Sequence, residues 1–118
     1  MGFSDFFSND FETSLNHKNE KLKTRHYRGD YNKVKAAIIV ACGVLNLEVQ
    51  EINEEYHEIR CDNRKQEMII EIFSNSYFDQ SVDIKVNTKY LISFGRGLKL
   101  IESFYKELGK NLTTVDKK

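Results

Sequence analysis

Proline and tryptophan are absent from this 118-residue chain, and cysteine and methionine are scarce at two each. With Lys, Asn and Ile abundant, that is the composition expected of an AT-rich bacterial genome. Two cysteines cannot build a disulfide framework. Cys42 lies in an apolar stretch and Cys61 in an alternating one, so both are expected to be reduced, structural thiols. An excess of one charge is missing too. Lys plus Arg equal Asp plus Glu at 18 each, so no global field draws the chain toward nucleic acid or anionic lipid. The longest apolar run, residues 36–45, holds ten residues, and a membrane span requires roughly 20. No basic region followed by an apolar run opens the chain. Phe6 also stands where a myristoylation site needs Ser or Thr. A cytoplasmic location with no membrane partner is the expectation.

The signatures of catalysis are equally thin. No serine sits in a nucleophile elbow, and no His neighbours a Cys or Ser in a recognisable frame. His17, His26, His57 and the two cysteines exhaust the soft metal ligands. His57 and Cys61 share a strand face but would lie about 13 Å apart at strand rise, too far to hold one metal. Glu48, Glu51, Glu54, Glu55 and Glu58 fall on strand edges and a turn, where solvated charge is the default. No enzyme activity, metal or cofactor is expected. Arg28-Gly29-Asp30 reads as a strand end, a turn and a helix cap, and the sequon at Asn111-Leu112-Thr113 is idle without secretion.

What is present has a clear period. Eight Phe and six Tyr within 40 % hydrophobic content make a globular chain of one domain. The apolar run follows Asp30, a helix N-cap, and is apolar on every side, which predicts a helix buried on both faces. Phe3, Phe6, Phe7, Phe11 and Leu15 recur at spacings of three and four, predicting a short amphipathic helix. Residues 21–28 alternate as a strand, with Lys23, Arg25 and Tyr27 on one side. After Asn46, which suits a helix C-terminus, Leu47–Gln50, Glu58–Cys61, Glu67–Phe73 and Ser81–Asn87 read as strands, and residues 90–94 as a short further one. The third carries apolar residues on both faces and is expected to be central and doubly covered. Leu98, Ile101, Phe104, Tyr105 and Leu108 then form the stripe of a second helix, with Gly109 placed to end it.

The predicted fold is α+β: an antiparallel sheet of four to five strands with two main helices on one face, in the order (α)-β-α-β-β-β-β-α. That order of elements resembles the TATA-binding-protein-like (TBP-like) and helix-grip architectures, by topology alone. Residues 1–20 are read as an amphipathic segment and linker, 21–112 as the domain and 113–118 as a polar tail.

Three functional readings follow. The leading one is a non-catalytic protein-interaction or self-association module, possessing surplus apolar surface and expected as a homodimer. Its partner-binding residues would be Phe3, Phe6, Phe7, Phe11 and Leu15, whose acidic neighbours suit protein and not anionic lipid. The outer side of the first main helix, Ala36, Ile39, Val40 and Gly43, is expected to pack on the second, so that Gly43→Leu would overpack it. The second reading is a small-ligand domain, taking an apolar group between helix and sheet, or an anion at Gly95, Arg96 and Gly97 beside a helix N-terminus. The third is nucleic-acid binding through residues 18–28, with Lys23, Arg25 and Tyr27 as a charge-plus-stacking face. Zero net charge argues against it.

Overall fold

The first main helix begins where its cap stands. Asp30 is extended (φ −76°, ψ 170°) and its Oδ1 accepts from the Lys33 backbone N–H at 2.8 Å, opening α1 (Tyr31–Val44). Gly29 turns the chain into that cap at φ +139°, and a Cβ there would come within 3.1 Å of the Lys33 side chain. At the other end Asn46 takes the left-handed conformation (φ 58°) while its N–H and that of Leu47 close on Gly43 and Cys42 carbonyls. The computed structural model describes residues 10–13, 23–88 and 96–114.

Four strands follow α1 in an antiparallel meander: β3 (Glu48–Asn53), β4 (Glu58–Asp62), β5 (Gln66–Ser76) and β6 (Asp79–Thr88). Beyond β6 the sheet takes up β2 (Arg25–Arg28) and then β7 (Thr113–Thr114), while β1 (Asp10–Glu12) pairs further along β6. The order is β3-β4-β5-β6-β2-β7 with β1 on β6, seven strands in all. The fold is α+β and antiparallel as expected, with more strands. The additions, β1 and β7, are three and two residues long, too short to show a period, and they exist because β6 and β2 offer them an open edge. They also carry the domain beyond the expected 21–112.

One face of the sheet is dry. Ile59, Cys61, Met68, Ile70, Ile72, Val82, Ile84 and Val86 are buried against Val34, Ala37, Ile38, Ala41 and Cys42 of α1. They also meet Ile101, Phe104, Tyr105 and Leu108 of α2 (Arg96–Asn111). Period-2 strands meeting period-3.6 helices make a single core. Tyr105 adds a hydrogen bond from its hydroxyl to the Val82 carbonyl at 2.8 Å. Both helices lie on this face side by side.

Several expectations are corrected. The outer side of α1 is not covered by α2, which spends its apolar stripe on the sheet. Val40 and Val44 are each 54 % exposed and Ile39 38 % exposed, and a Cβ at Gly43 would meet nothing within 4 Å. The second face of β5 is not packed like the first: Ile69 is half-buried and Phe73 is 50 % exposed. α2 runs through Gly109 to Asn111, and Thr113–Thr114 form β7 where a polar tail was expected. Residues 10–12 are strand, not helix, because β6 supplies backbone partners to Phe11 and its neighbours. Phe3, Phe6, Phe7, Leu15, Gly95 and the expected strand at 90–94 lie outside the described residues.

Candidate functional sites

The outer surface of α1 exposes a run of apolar side chains. Positions 36, 39, 40, 43 and 44 fall within about two fifths of the helix circumference at roughly 100° per residue. All are exposed: Ala36 and Gly43 small, Ile39, Val40 and Val44 branched. Charge stands at the N-terminal end of the stripe, where Lys33 is exposed within the same arc and Lys35 lies beside it. Lys35 forms an ion pair with Glu54 of the β3–β4 turn, and the Tyr31 hydroxyl donates to the same carboxylate at 2.9 Å. These two donors hold the Glu54 carboxyl below its ordinary range. Burial, and then that hydrogen bond, push the Tyr31 hydroxyl up to about 12. The ring of Tyr31 also rests 4.5 Å from that of His57, so the N-terminal end of α1 is clamped to the turn. The Asp30 carboxylate stands at the N-terminal end of the α1 dipole, whereas no basic residue lies in the last turn to offset the C-terminal end.

A second feature lies at the opposite side of the layer, where α2 crosses the β2–β7 edge. A cavity of about 600 Å³ is lined by Arg25 and Tyr27 of β2, by Lys99, Glu102, Ser103, Tyr105 and Lys106 of α2, and by Thr114 of β7. Positions 99, 102, 103 and 106 share a helix face by spacing. The Arg25 guanidinium stacks over the Tyr105 ring, 5.1 Å from its centroid. Its Nε is buried and has no hydrogen-bond partner among the described residues. Burial holds the hydroxyls of Tyr27 and Tyr105 protonated well above the ordinary tyrosine range.

The residues expected to read nucleic acid do not form an exposed stacking face. Arg25 and Tyr27 do share a strand face, but that face is the one beneath α2. Tyr27 is 1 % exposed and pairs opposite Gln80, so its ring offers no stacking platform to a base. Lys23 is half-buried at the start of the strand. Of the expected anion site, Arg96 and Gly97 are the first two residues of α2.

Register, which no sequence period reveals, creates two further clusters on the sheet face away from the helices. Ser81 sits opposite His26, with Ser81 Oγ 2.9 Å from His26 Nδ1 and accepting from Asn75 Nδ2 at 2.6 Å. Ser81 is 6 % exposed, so the contact clips three strands together and does not present a nucleophile. One row over, Glu58, Glu71 and Asp83 stand directly opposite one another on β4, β5 and β6. One oxygen of Asp83 accepts from Thr13 at 2.7 Å and from Thr24 at 2.5 Å. That carboxylate ties together the two chain segments, β1 and β2, that pair along the same edge of β6.

At the β5–β6 turn Tyr77 and Phe78 are exposed and meet edge to face, with centroids 4.6 Å apart. Among the described residues no helix is long and apolar enough to cross a membrane, and no group of three or more His, Cys, Asp or Glu is placed to hold a metal ion. No protein-family model matches the chain, and no curated protein matches it in sequence.

Proposed function

We propose that this domain is a non-catalytic self-association module of the bacterial cytoplasm, in which α1 packs against α1 of a second copy. The observation that carries the reading is the exposed stripe Ala36, Ile39, Val40, Gly43 and Val44 on a helix whose other side is core. Val40 lies at the middle, with small residues about one turn to either side at 36 and 43. A two-fold axis beside Val40 would let two backbones approach closely while the branched side chains interlock. In that antiparallel arrangement each N-terminal end, with Lys33 exposed on it, meets the partner's C-terminal end, whose dipole charge no basic residue of its own last turn offsets. Zero net charge removes bulk repulsion between copies. The edge strand β3 is a poorer docking element. Its register slips between Val49 and Glu51, and Glu48 and Glu51 are exposed on it, features that blunt edge pairing. The free thiols Cys42 and Cys61, with sulfurs 3.4 Å apart, suit a reducing compartment.

The test is solution mass against concentration for the full chain and for Val40→Lys. The wild type should move from monomer to dimer, and Val40→Lys should stay monomeric. Since Val40 is exposed, the variant's monomer stability should change by no more than about 0.5 kcal/mol. A wild type still monomeric near ~1 mM would have an association free energy weaker than about −4 kcal/mol, and self-association would be excluded.

A further inference from the structure

The cavity between α2 and the β2–β7 edge is independent of the α1 surface and has a different chemistry. Three cations line it, Arg25, Lys99 and Lys106, against the single carboxylate of Glu102. A solvated helix face would account for Lys99 and Lys106, which are both exposed. It does not account for Arg25. That side chain is half-buried and steered by the Tyr105 ring, and its Nε donor is out of water with no partner among the described residues. Arg25 lines the cavity all the same, and a planar guanidinium held against the Tyr105 ring offers its terminal N–H groups as a fixed fork for two oxygens of an oxyanion.

We infer that this cavity binds the phosphate group of a phosphomonoester through Arg25, Lys99 and Lys106. Three positive groups less one negative leave an excess of two, which matches a phosphate dianion and exceeds what a single carboxylate requires. The donors converge from three elements: Arg25 from β2, Lys99, Ser103 and Lys106 from α2, and Thr114 from β7. Convergence from several sides suits tetrahedral oxygens better than planar ones. A nucleic-acid backbone is a poorer fit, since it asks for an extended basic track and exposed aromatic faces. Here Tyr27 and Tyr105 are 1 % and 5 % exposed.

The experiment is an NMR titration of the full chain at constant ionic strength with glycerol phosphate, observing the Arg25 Nε–H resonance and the amides of Ser103 and Thr114. A saturable shift of all three is expected, with no matching response to chloride. The double variant Lys99→Gln/Lys106→Gln replaces exposed side chains and should keep the wild-type melting temperature. It should weaken glycerol phosphate by about tenfold or more, as the loss of charge-assisted contacts implies. Vesicles containing phosphatidic acid separate the two sources of the group. Sedimentation with them that the double variant abolishes assigns the phosphate to a lipid headgroup, and its absence assigns it to a soluble ligand. Shifts that never saturate, or that persist unchanged in the double variant, would overturn the site. So would binding of single-stranded oligonucleotides that tightens with length and outcompetes glycerol phosphate.

Discussion

Gln80 shows how a single buried amide can set the end of a sheet. It is 1 % exposed, and its Nε2 faces the carbonyls of Gly29, Ser76 and Tyr77 at 3.2–3.3 Å while its Oε1 accepts from Ser74 Oγ at 2.5 Å. The Gly29 N–H in turn donates to the Phe78 carbonyl at 2.8 Å, so the turn between β5 and β6 is bound to the loop that starts α1. Gln80→Leu keeps the volume and removes every one of these partners. It should destabilise the fold by about 1–3 kcal/mol, the cost of leaving buried polar groups unsatisfied, read as a lower urea midpoint at unchanged slope. A variant as stable as the wild type would mean that water replaces the amide there. At the same scale, contact with Cys42 and burial push the Cys61 thiol up, which keeps Cys61 a neutral packing group.

At the scale of elements, the two helices use glycine differently. Gly29 precedes α1 at a positive φ that other residues resist. Gly109 lies inside α2, is exposed, and a Cβ built there meets nothing within 4 Å. Its expected role as a stop signal is therefore not the one it plays. The helix continues to Asn111 and closes with the Leu112 N–H on the Leu108 carbonyl at 2.9 Å. Gly109→Ala should then stabilise the protein by about 0.5–1 kcal/mol, the propensity difference within a helix, seen as a higher thermal midpoint. A loss of stability would show that this turn needs glycine's freedom after all. The N-terminal stretch makes the opposite point. Phe11 belongs to a set spaced for a helix, and its backbone nevertheless pairs opposite Val86, since an open strand edge outweighs a weak local preference.

For the whole molecule, pH acts mainly through the tyrosines. Tyr27, Tyr31 and Tyr105 all have ionisation raised above the ordinary value of 10.0, chiefly by burial. A raised value in the folded state means that the unfolded chain releases these protons first. The stabilising contribution is thus complete below pH 10 and declines above it, running out for Tyr31 only as the pH passes about 12. Unfolding midpoints should fall progressively above pH 10, with tyrosinate absorbance from Tyr27 and Tyr105 appearing together with unfolding. Tyrosinate signal from all six tyrosines at full native ellipticity would contradict their burial.

Sequence alone determined the parts whose signal is local. The Asp30 cap, the two helix stripes and the alternation of β4 and β6 are legible because a 3.6-residue or two-residue period, or a side chain reaching three residues along, is written in consecutive positions. Those periods also imply the antiparallel α+β class. Tertiary structure alone decided what depends on neighbours distant in the chain. A period shows that α1 is apolar all round but not that α2 lies beside it and leaves Val40 in water. It shows that Arg25 and Tyr27 share a face, but not that the face lies under α2, where Lys99 and Lys106 complete a cavity. Register joined His26 to Ser81 and both threonines to Asp83, and open edges made strands of residues 10–12 and 113–114. The physical reason is common to all of these. Burial and pairing energies come from surfaces brought together by chain closure, and a sequence read in order carries no term for them.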